Sequence, residues 1–151
     1  MKIGHSYDLH KLKNGDFILL GGVKIPCEYS VISDSDGDVL LHTISESILG
    51  ALGLGDLGDY FNEKGIKSIN ILNFCLNKLK ENKYHIVNID NIIVLDNPKL
   101  SQYKLDIKFN LAKLMNINHS NINIKATTSE QTKLTTIESF SNILIEKDEG
   151  I

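Results

Sequence analysis

The stretch SDSDGDVLLHTISESILGALGLG, residues 33–55, runs from a polar turn through an apolar stripe to a cluster of glycines. Within it Leu40, Leu41, Ile44, Ile48, Leu49 and Leu52 recur at i, i+4 and i+8 spacing, which predicts a buried amphipathic helix between Ser35 and Leu54. Ser35 and Asp38 form a candidate capping pair at its start, a hydroxyl for a free N–H and an acid at the positive end of the dipole. Gly53, Gly55 and Gly58 end the helix.

Outward from this helix, strand and helix signals alternate. Before it, Lys2–His10 reads as a strand leading to Asn14-Gly15, and Phe17–Val23 as a second strand ahead of Pro26. After it come a helix over Ile69–Leu79, a β-branched strand over Val87–Leu95 closed by Asn97-Pro98, and a helix over Leu105–Met115. Ile122–Thr127 alternates as a strand, and Ile143–Ile145 reads as a last short one. The expected architecture is α+β: a four-stranded sheet with helices packed on one side and a small N-terminal hairpin, residues 1–151 forming a single domain. The chain carries no internal repeat, low-complexity tract or linker.

Composition narrows the function classes. With 151 residues, 42% of them hydrophobic, there is enough chain for one sizeable core. A net charge of −3 and the lack of a basic stripe argue against nucleic acid or an anionic membrane as partner. All 16 basic residues are lysines, so an anionic ligand must be held by metal, lysine or backbone N–H rather than by a guanidinium fork. The opening MKIGHSYDLH has neither an apolar core nor a basic amphipathic character, so an intracellular, cytoplasmic protein is expected. Cys27 and Cys75 read as reduced thiols.

The candidate chemistry starts at Asp8 and His10. At i and i+2 of a strand they face the same side, and His42 on the long helix can supply a third ligand, giving two histidines and a carboxylate with an open position, a catalytic zinc pattern. Spacing alone leaves open a surface Asp-x-His and an unrelated helical histidine. The acidic turn Ser33–Asp38 exposes N–H groups that can receive phosphate oxygens, with an ordinary capped helix as the other reading. Gly55-Asp56-Leu57-Gly58 offers a carboxylate and flexible backbone to a polyol, or a plain turn. In Lys125–Glu130 the hydroxyls of Thr127, Thr128 and Ser129 leave a strand end beside Glu130, which can hold a hard cation such as Mg²⁺ or Mn²⁺.

Taken in order, Ile3-Gly4-His5, Asp8-x-His10, Leu20-Gly21-Gly22-Val23, Ser35-Asp36-Gly37-Asp38-Val39 with His42, Leu49-Gly50-Ala51, Gly55-Asp56-Leu57-Gly58, Pro98-Lys99 and Lys125-Ala126-Thr127-Thr128 resemble the 2-C-methyl-D-erythritol 2,4-cyclodiphosphate synthase family over nearly the whole chain. The resemblance implies a homotrimer with sites between subunits. It also implies a phosphorus–oxygen lyase of the non-mevalonate isoprenoid pathway that closes a cyclic diphosphate and expels CMP from a cytidine diphosphate ester. It assigns zinc to Asp8, His10 and His42, and a second divalent cation to Glu130. Thr128 becomes the catalytic hydroxyl, and Asp34 and Ser35 face the reacting phosphate. Asp56, Leu57 and Gly58 match the erythritol-binding segment. Asn97, Pro98, Lys99, Leu100 and Ser101, with Thr127, Thr128, Ser129 and Glu130, match the cytidine and phosphate side.

The sequence departs from the family at four places. Asp34 stands where a histidine is usual, and Asn62-Glu63 replaces Pro-Asp after Phe61. The glycine-rich loop with its arginine is replaced by Gln131–Glu138, and Asp96 adds a negative charge beside the expected nucleotide. These departures define the alternative reading, a zinc-binding relative without cyclase activity that holds a phosphorylated metabolite or nucleotide.

Overall fold

A computed structural model describes residues Met1–Gly150. Its first strand, β1 (Lys2–Asn14), runs four residues past the expected end at His10 and turns into the hairpin β2 (Phe17–Leu20) and β3 (Val23–Pro26), which pair antiparallel as a separate two-stranded sheet. A short strand, β4 (Tyr29–Val31), then folds back on the extension of β1 through Leu12–Asn14. Next come α1 (Val39–Leu52), α2 (Ser68–Glu81), β5 (Tyr84–Leu95), α3 (Lys104–Met115), β6 (Ile122–Thr127) and β7 (Thr136–Lys147).

The main sheet has five strands in the order β4-β1-β7-β5-β6, where the sequence predicted four. The added strand is β4, three residues long and too brief to leave a periodic signal. The larger correction concerns β7: Ile143–Ile145 is the end of a 12-residue strand that lies between β1 and β5. It is antiparallel to both neighbours, whereas β5 and β6 run parallel with α3 as their crossover.

All three helices cover one face. Along β7 the residues facing them are Ile137, Ser139, Ser141, Ile143 and Ile145, every one buried. The serines take part in packing: Thr43 Oγ1 on α1 lies 2.8 Å from Ser139 Oγ and 2.7 Å from Ser141 Oγ, and Ser141 Oγ donates to Asn91 Oδ1 at 2.7 Å. These bonds satisfy hydroxyls that burial would otherwise penalise. On α1, Leu40, Ile44, Ile48 and Leu49 are fully buried, each contributing roughly 1.5–3 kcal/mol relative to exposure. Gly4 lets α1 lie close on β1, since a Cβ there would stand 2.0 Å from the Ser47 carbonyl oxygen.

The helix α1 begins at Val39 rather than near Ser35. Its cap is Asp38, which accepts from Leu41 N at 3.0 Å and also from Gly21 N and Gly22 N at 2.9 and 2.7 Å, tying the β2–β3 hairpin to the helix start. Gly53, in the left-handed region at φ 71°, ends α1 as expected. The opposite face of the sheet is open in this chain. It presents Ile3, Tyr7 and Leu9 from β1 and Phe140 from β7, with Ile3 78% exposed.

Candidate active site

Strand alternation sends Asp8 and His10 to the helix-covered face of β1, just beyond the point where α1 stops covering it. His42, on the first turn of α1, meets them there. Asp8 Oδ2 lies 3.1 Å from His10 Nε2 and 3.6 Å from His42 Nδ1, and one ligand atom from each of the three lies within 4.8 Å of the others. The second nitrogen of His10 is 3.0 Å from the Ile32 carbonyl, which can only accept, so Nδ1 carries the proton and Nε2 is free to ligate. Ser35 Oγ is 3.4 Å from His42 Nε2. Burial raises the Asp8 pKa, but hydrogen bonds from His10 and His42 and their charge outweigh it and hold the carboxyl well below its usual range. His10 is shifted upward, first by its bond to Asp8, against a smaller opposing effect of burial.

Two imidazoles and an ionised carboxylate converging without a fourth protein ligand suit a tetrahedral metal with one open position. These groups line a cavity of about 290 Å³ together with Asp34, Ser35, Leu57 and Gly58, so the sequence-predicted residues on the polyol side gather here. Asp56 does not line the cavity; it is exposed and exchanges bonds with Asp59: Asp56 N donates to Asp59 Oδ2 at 3.0 Å and Asp59 N to Asp56 Oδ1 at 3.1 Å. Asp34 is 80% exposed, 3.9 Å from Lys64 Nζ, an ammonium that partly offsets its charge. Sequence reasoning missed Glu46, which also lines the cavity. It stands four residues after His42, on the same helix face, and that spacing was the available signal.

The remaining predicted residues form a second group, at the ends of β5 and β6. Lys99, Thr128, Glu130 and Asn97 line a cavity of about 480 Å³ with Asp96, Gln131 and Leu134. Leu100, Ser101 and Thr127 line a neighbouring one of about 230 Å³ that shares Lys99 and Thr128. Pro98, with Asn97, lines a further hollow against Cys27. Ser129 lines none of these; its hydroxyl is bound to Asp96. Asp96, expected to add a negative charge beside the nucleotide, does line this cavity; it is 5% exposed and accepts from Ser129 N, which lowers its pKa. The sequence segment Gln131–Glu138 is likewise only in part a loop: Glu138 is a buried residue of β7 that accepts from Lys133 Nζ at 2.8 Å and Tyr7 OH at 3.0 Å. Thus the sequence-predicted residues fall into two separate groups on one chain, one around Asp8, His10 and His42 and one around Lys99, Thr128 and Glu130.

An α+β sheet-and-helix fold bearing a His₂-carboxylate centre with an open position defines the class of metal-dependent enzymes in which protein ligands leave room for substrate. Within that class the chain belongs to the YgbB family, whose model matches residues 1–145. It is 44% identical to the 2-C-methyl-D-erythritol 2,4-cyclodiphosphate synthase of Fusobacterium nucleatum subsp. nucleatum, over 97% of this chain and 98% of that protein. The synthase of Clostridium perfringens is 45% identical over 86% of each. Among solved structures, the CDP complex of IspF from Plasmodium falciparum matches with a TM-score of 0.89 at 36% identity, covering 98% of this chain and 97% of that one. A 2C-methyl-D-erythritol-2,4-cyclodiphosphate synthase in its CDP-bound form matches with a TM-score of 0.92 at 26% identity, over 96% of this chain and 100% of that one. No helix among the described residues is long and apolar enough to cross a membrane.

Proposed function

We propose that this chain is a cyclodiphosphate synthase, a phosphorus–oxygen lyase that converts 4-diphosphocytidyl-2-C-methyl-D-erythritol 2-phosphate into 2-C-methyl-D-erythritol 2,4-cyclodiphosphate and CMP in the non-mevalonate isoprenoid pathway. The observation that carries this reading is the convergence of Asp8, His10 and His42 on one point in the cavity that also holds Ser35, Leu57 and Gly58. In the reaction an oxygen of the 2-phosphate forms a bond to the β-phosphorus. The bond from that phosphorus to the bridging oxygen breaks, and CMP leaves with the electron pair.

Two anionic phosphates must meet, so their repulsion has to be offset and their geometry fixed beforehand. Asp8, His10 and His42 would hold zinc, which when bound supplies Lewis-acid polarisation at the phosphate. Ser35 and the exposed backbone of Leu57 and Gly58 hold the erythritol phosphate side. On the other group, Lys99 balances phosphate charge, Thr128 donates its hydroxyl near the reacting diphosphate, and Glu130 would hold Mg²⁺ or Mn²⁺.

A homotrimer of single-domain chains, residues 1–151, is part of the reading. The two groups of site residues line separate cavities of one chain, so a complete site needs the metal group of one copy and the nucleotide group of the next, a head-to-tail contact that closes as a ring. The open sheet face with Ile3, Tyr7, Leu9 and Phe140 is the surface for that contact. The bacterial relatives support a cytoplasmic location.

The test is incubation of the purified protein with the cytidine diphosphate ester, zinc and magnesium, followed by phosphorus NMR. CMP and the cyclic diphosphate are expected to appear together. A second reading rests on the exposed carboxylate of Asp34 at the cavity: absence of turnover from a folded, zinc-loaded protein that still binds CDP would make it a catalytically silent zinc-binding relative.

A further inference from the structure

Between β6 and β7 the chain makes a turn in which two consecutive non-glycine residues, Glu130 and Gln131, have φ of 55° and 63°. L-residues enter this left-handed region at a cost, so neighbouring groups must hold them there. Inside the turn, Glu130 N donates to Thr128 Oγ1 at 3.2 Å, and Thr132 N and Oγ1 donate to the Ser129 carbonyl at 3.2 and 2.6 Å. None of these bonds reaches the sheet.

The link to the sheet is Asp96, which follows the last residue of β5 and is 5% exposed. Its Oδ1 accepts from Ser129 N at 2.5 Å, and the Ser129 hydroxyl is shared between Oδ1 at 2.9 Å and Oδ2 at 2.8 Å. The same hydroxyl oxygen accepts from Lys133 N at 2.8 Å, so the carboxylate orders both limbs of the turn through one side chain. Lys133 is tied in turn to Glu138 on β7. Charge-assisted bonds of this type are about twice as strong as neutral ones.

We infer that Asp96 is a positioning residue for the nucleotide half of the site: by accepting from Ser129 N and Oγ it holds the turn that directs Thr128 and Glu130 into the cavity shared with Lys99. The inference rests on the function proposed above only for the identity of the ligand. Both oxygens of Asp96 accept from Ser129, so the carboxylate acts on the site through the turn it holds. The lowered pKa of Asp96, due first to the Ser129 N–H, agrees with a carboxylate kept ionised to do this. An asparagine keeps one acceptor oxygen but sets an NH₂ group against the Ser129 donors, so it restores the anchor only in part.

The experiment uses full-length wild type, Asp96→Ala, Asp96→Asn and Ser129→Ala. CDP affinity is read by calorimetry with Mn²⁺ present, Mn²⁺ binding by paramagnetic resonance, and backbone amide exchange at Ser129 and Lys133 on the ligand-free proteins. In Asp96→Ala, CDP with Mn²⁺ is expected to bind about tenfold or more weakly, with KM rising more than kcat falls, Asp96→Asn intermediate, and zinc content unchanged. Exchange at Ser129 and Lys133 should accelerate while β5 and β7 stay protected. Wild-type exchange at these amides in Asp96→Ala overturns the inference, as does unaltered CDP affinity in a variant whose wild type binds CDP. Failure of the wild type itself to bind CDP or Mn²⁺ counts against the proposed function, and the exchange data still decide whether Asp96 anchors the turn.

Discussion

The two groups of residues in the proposed site are built by different means. Asp8, His10 and His42 stand on a strand and a helix, so their directions follow from alternation along β1 and from the seating of α1 on the sheet. Thr128 and Glu130 stand on an exposed turn whose shape depends on a few side-chain bonds, above all those of Ser129 to Asp96. A ligand set on regular elements resists distant changes until the packing of those elements fails, while one on an anchored turn is lost with the anchor.

The strongest way to break this contrast is His42→Ala. It should empty the zinc site and reduce turnover by at least the roughly 10²–10³-fold typical of losing one preorganised charge-stabilising group, with CDP affinity and the fold largely kept. Metal analysis and circular dichroism check it; full zinc content would refute the ligand assignment. A smaller effect, aimed at packing rather than ligands, is expected from Gly4→Ala. The added carbon meets the Ser47 carbonyl and the Ala51 amide nitrogen, both backbone, so α1 must lift from β1. Stability should fall by about 1–3 kcal/mol in urea, and zinc affinity should fall with it because His42 shifts relative to Asp8.

The mildest probe is pH. A proton on His10 competes with metal, and its raised pKa extends that competition above the range of an ordinary histidine. Zinc affinity should therefore fall up to about tenfold per pH unit as pH drops below the His10 pKa. In metal-free protein the sign reverses: the Asp8–His10 pair stabilises fully between the ordinary values of 3.8 and 6.5, loses its His10 contribution as pH rises through the raised value and its Asp8 contribution in strong acid. Asp96, with its pKa lowered, keeps its anchor throughout that range and loses it only in acid, so CDP binding through the turn should not follow the zinc curve. Zinc and CDP titrations between roughly pH 5.5 and 8 would separate the two.

The same division explains what the sequence made legible. The strand Ile122–Thr127 and the helices at Ile69–Leu79 and Leu105–Met115 emerged close to their observed bounds because periodicity is local information. The shared side of Asp8 and His10 follows from the same local alternation, whereas the meeting of His42 with them is a long-range contact that spacing leaves open and only the ordered motifs imply. Asp96 was read only as an extra charge, since its partner is 33 residues away and nothing local announces the bond. The start of α1 was placed too early because Ser35, with an acid three residues on at Asp38, looks like a cap, whereas Asp38 alone caps the helix. In the structure Ser35 Oγ lies 3.4 Å from His42 Nε2, and Asp36 Oδ2 accepts from Ser68 N at 3.2 Å. In β7 the alternation was hidden by Ser139 and Ser141, whose hydroxyls belong to a buried network with Thr43 and Asn91.

The position of β7 also bears on how the chain comes to be folded. Lys2 pairs with Ile145 and Tyr84 with Lys147, so the strand that joins β1 to β5 is made after everything it joins. During synthesis β1 and β5 each keep an unpaired edge, and β1 cannot find β7 until Thr136–Lys147 has been made and released. Closure over so many residues favours slow, late completion of the sheet. The earlier segments must survive that interval on helix formation, the hairpin and the pairings of β4 with β1 and of β6 with β5.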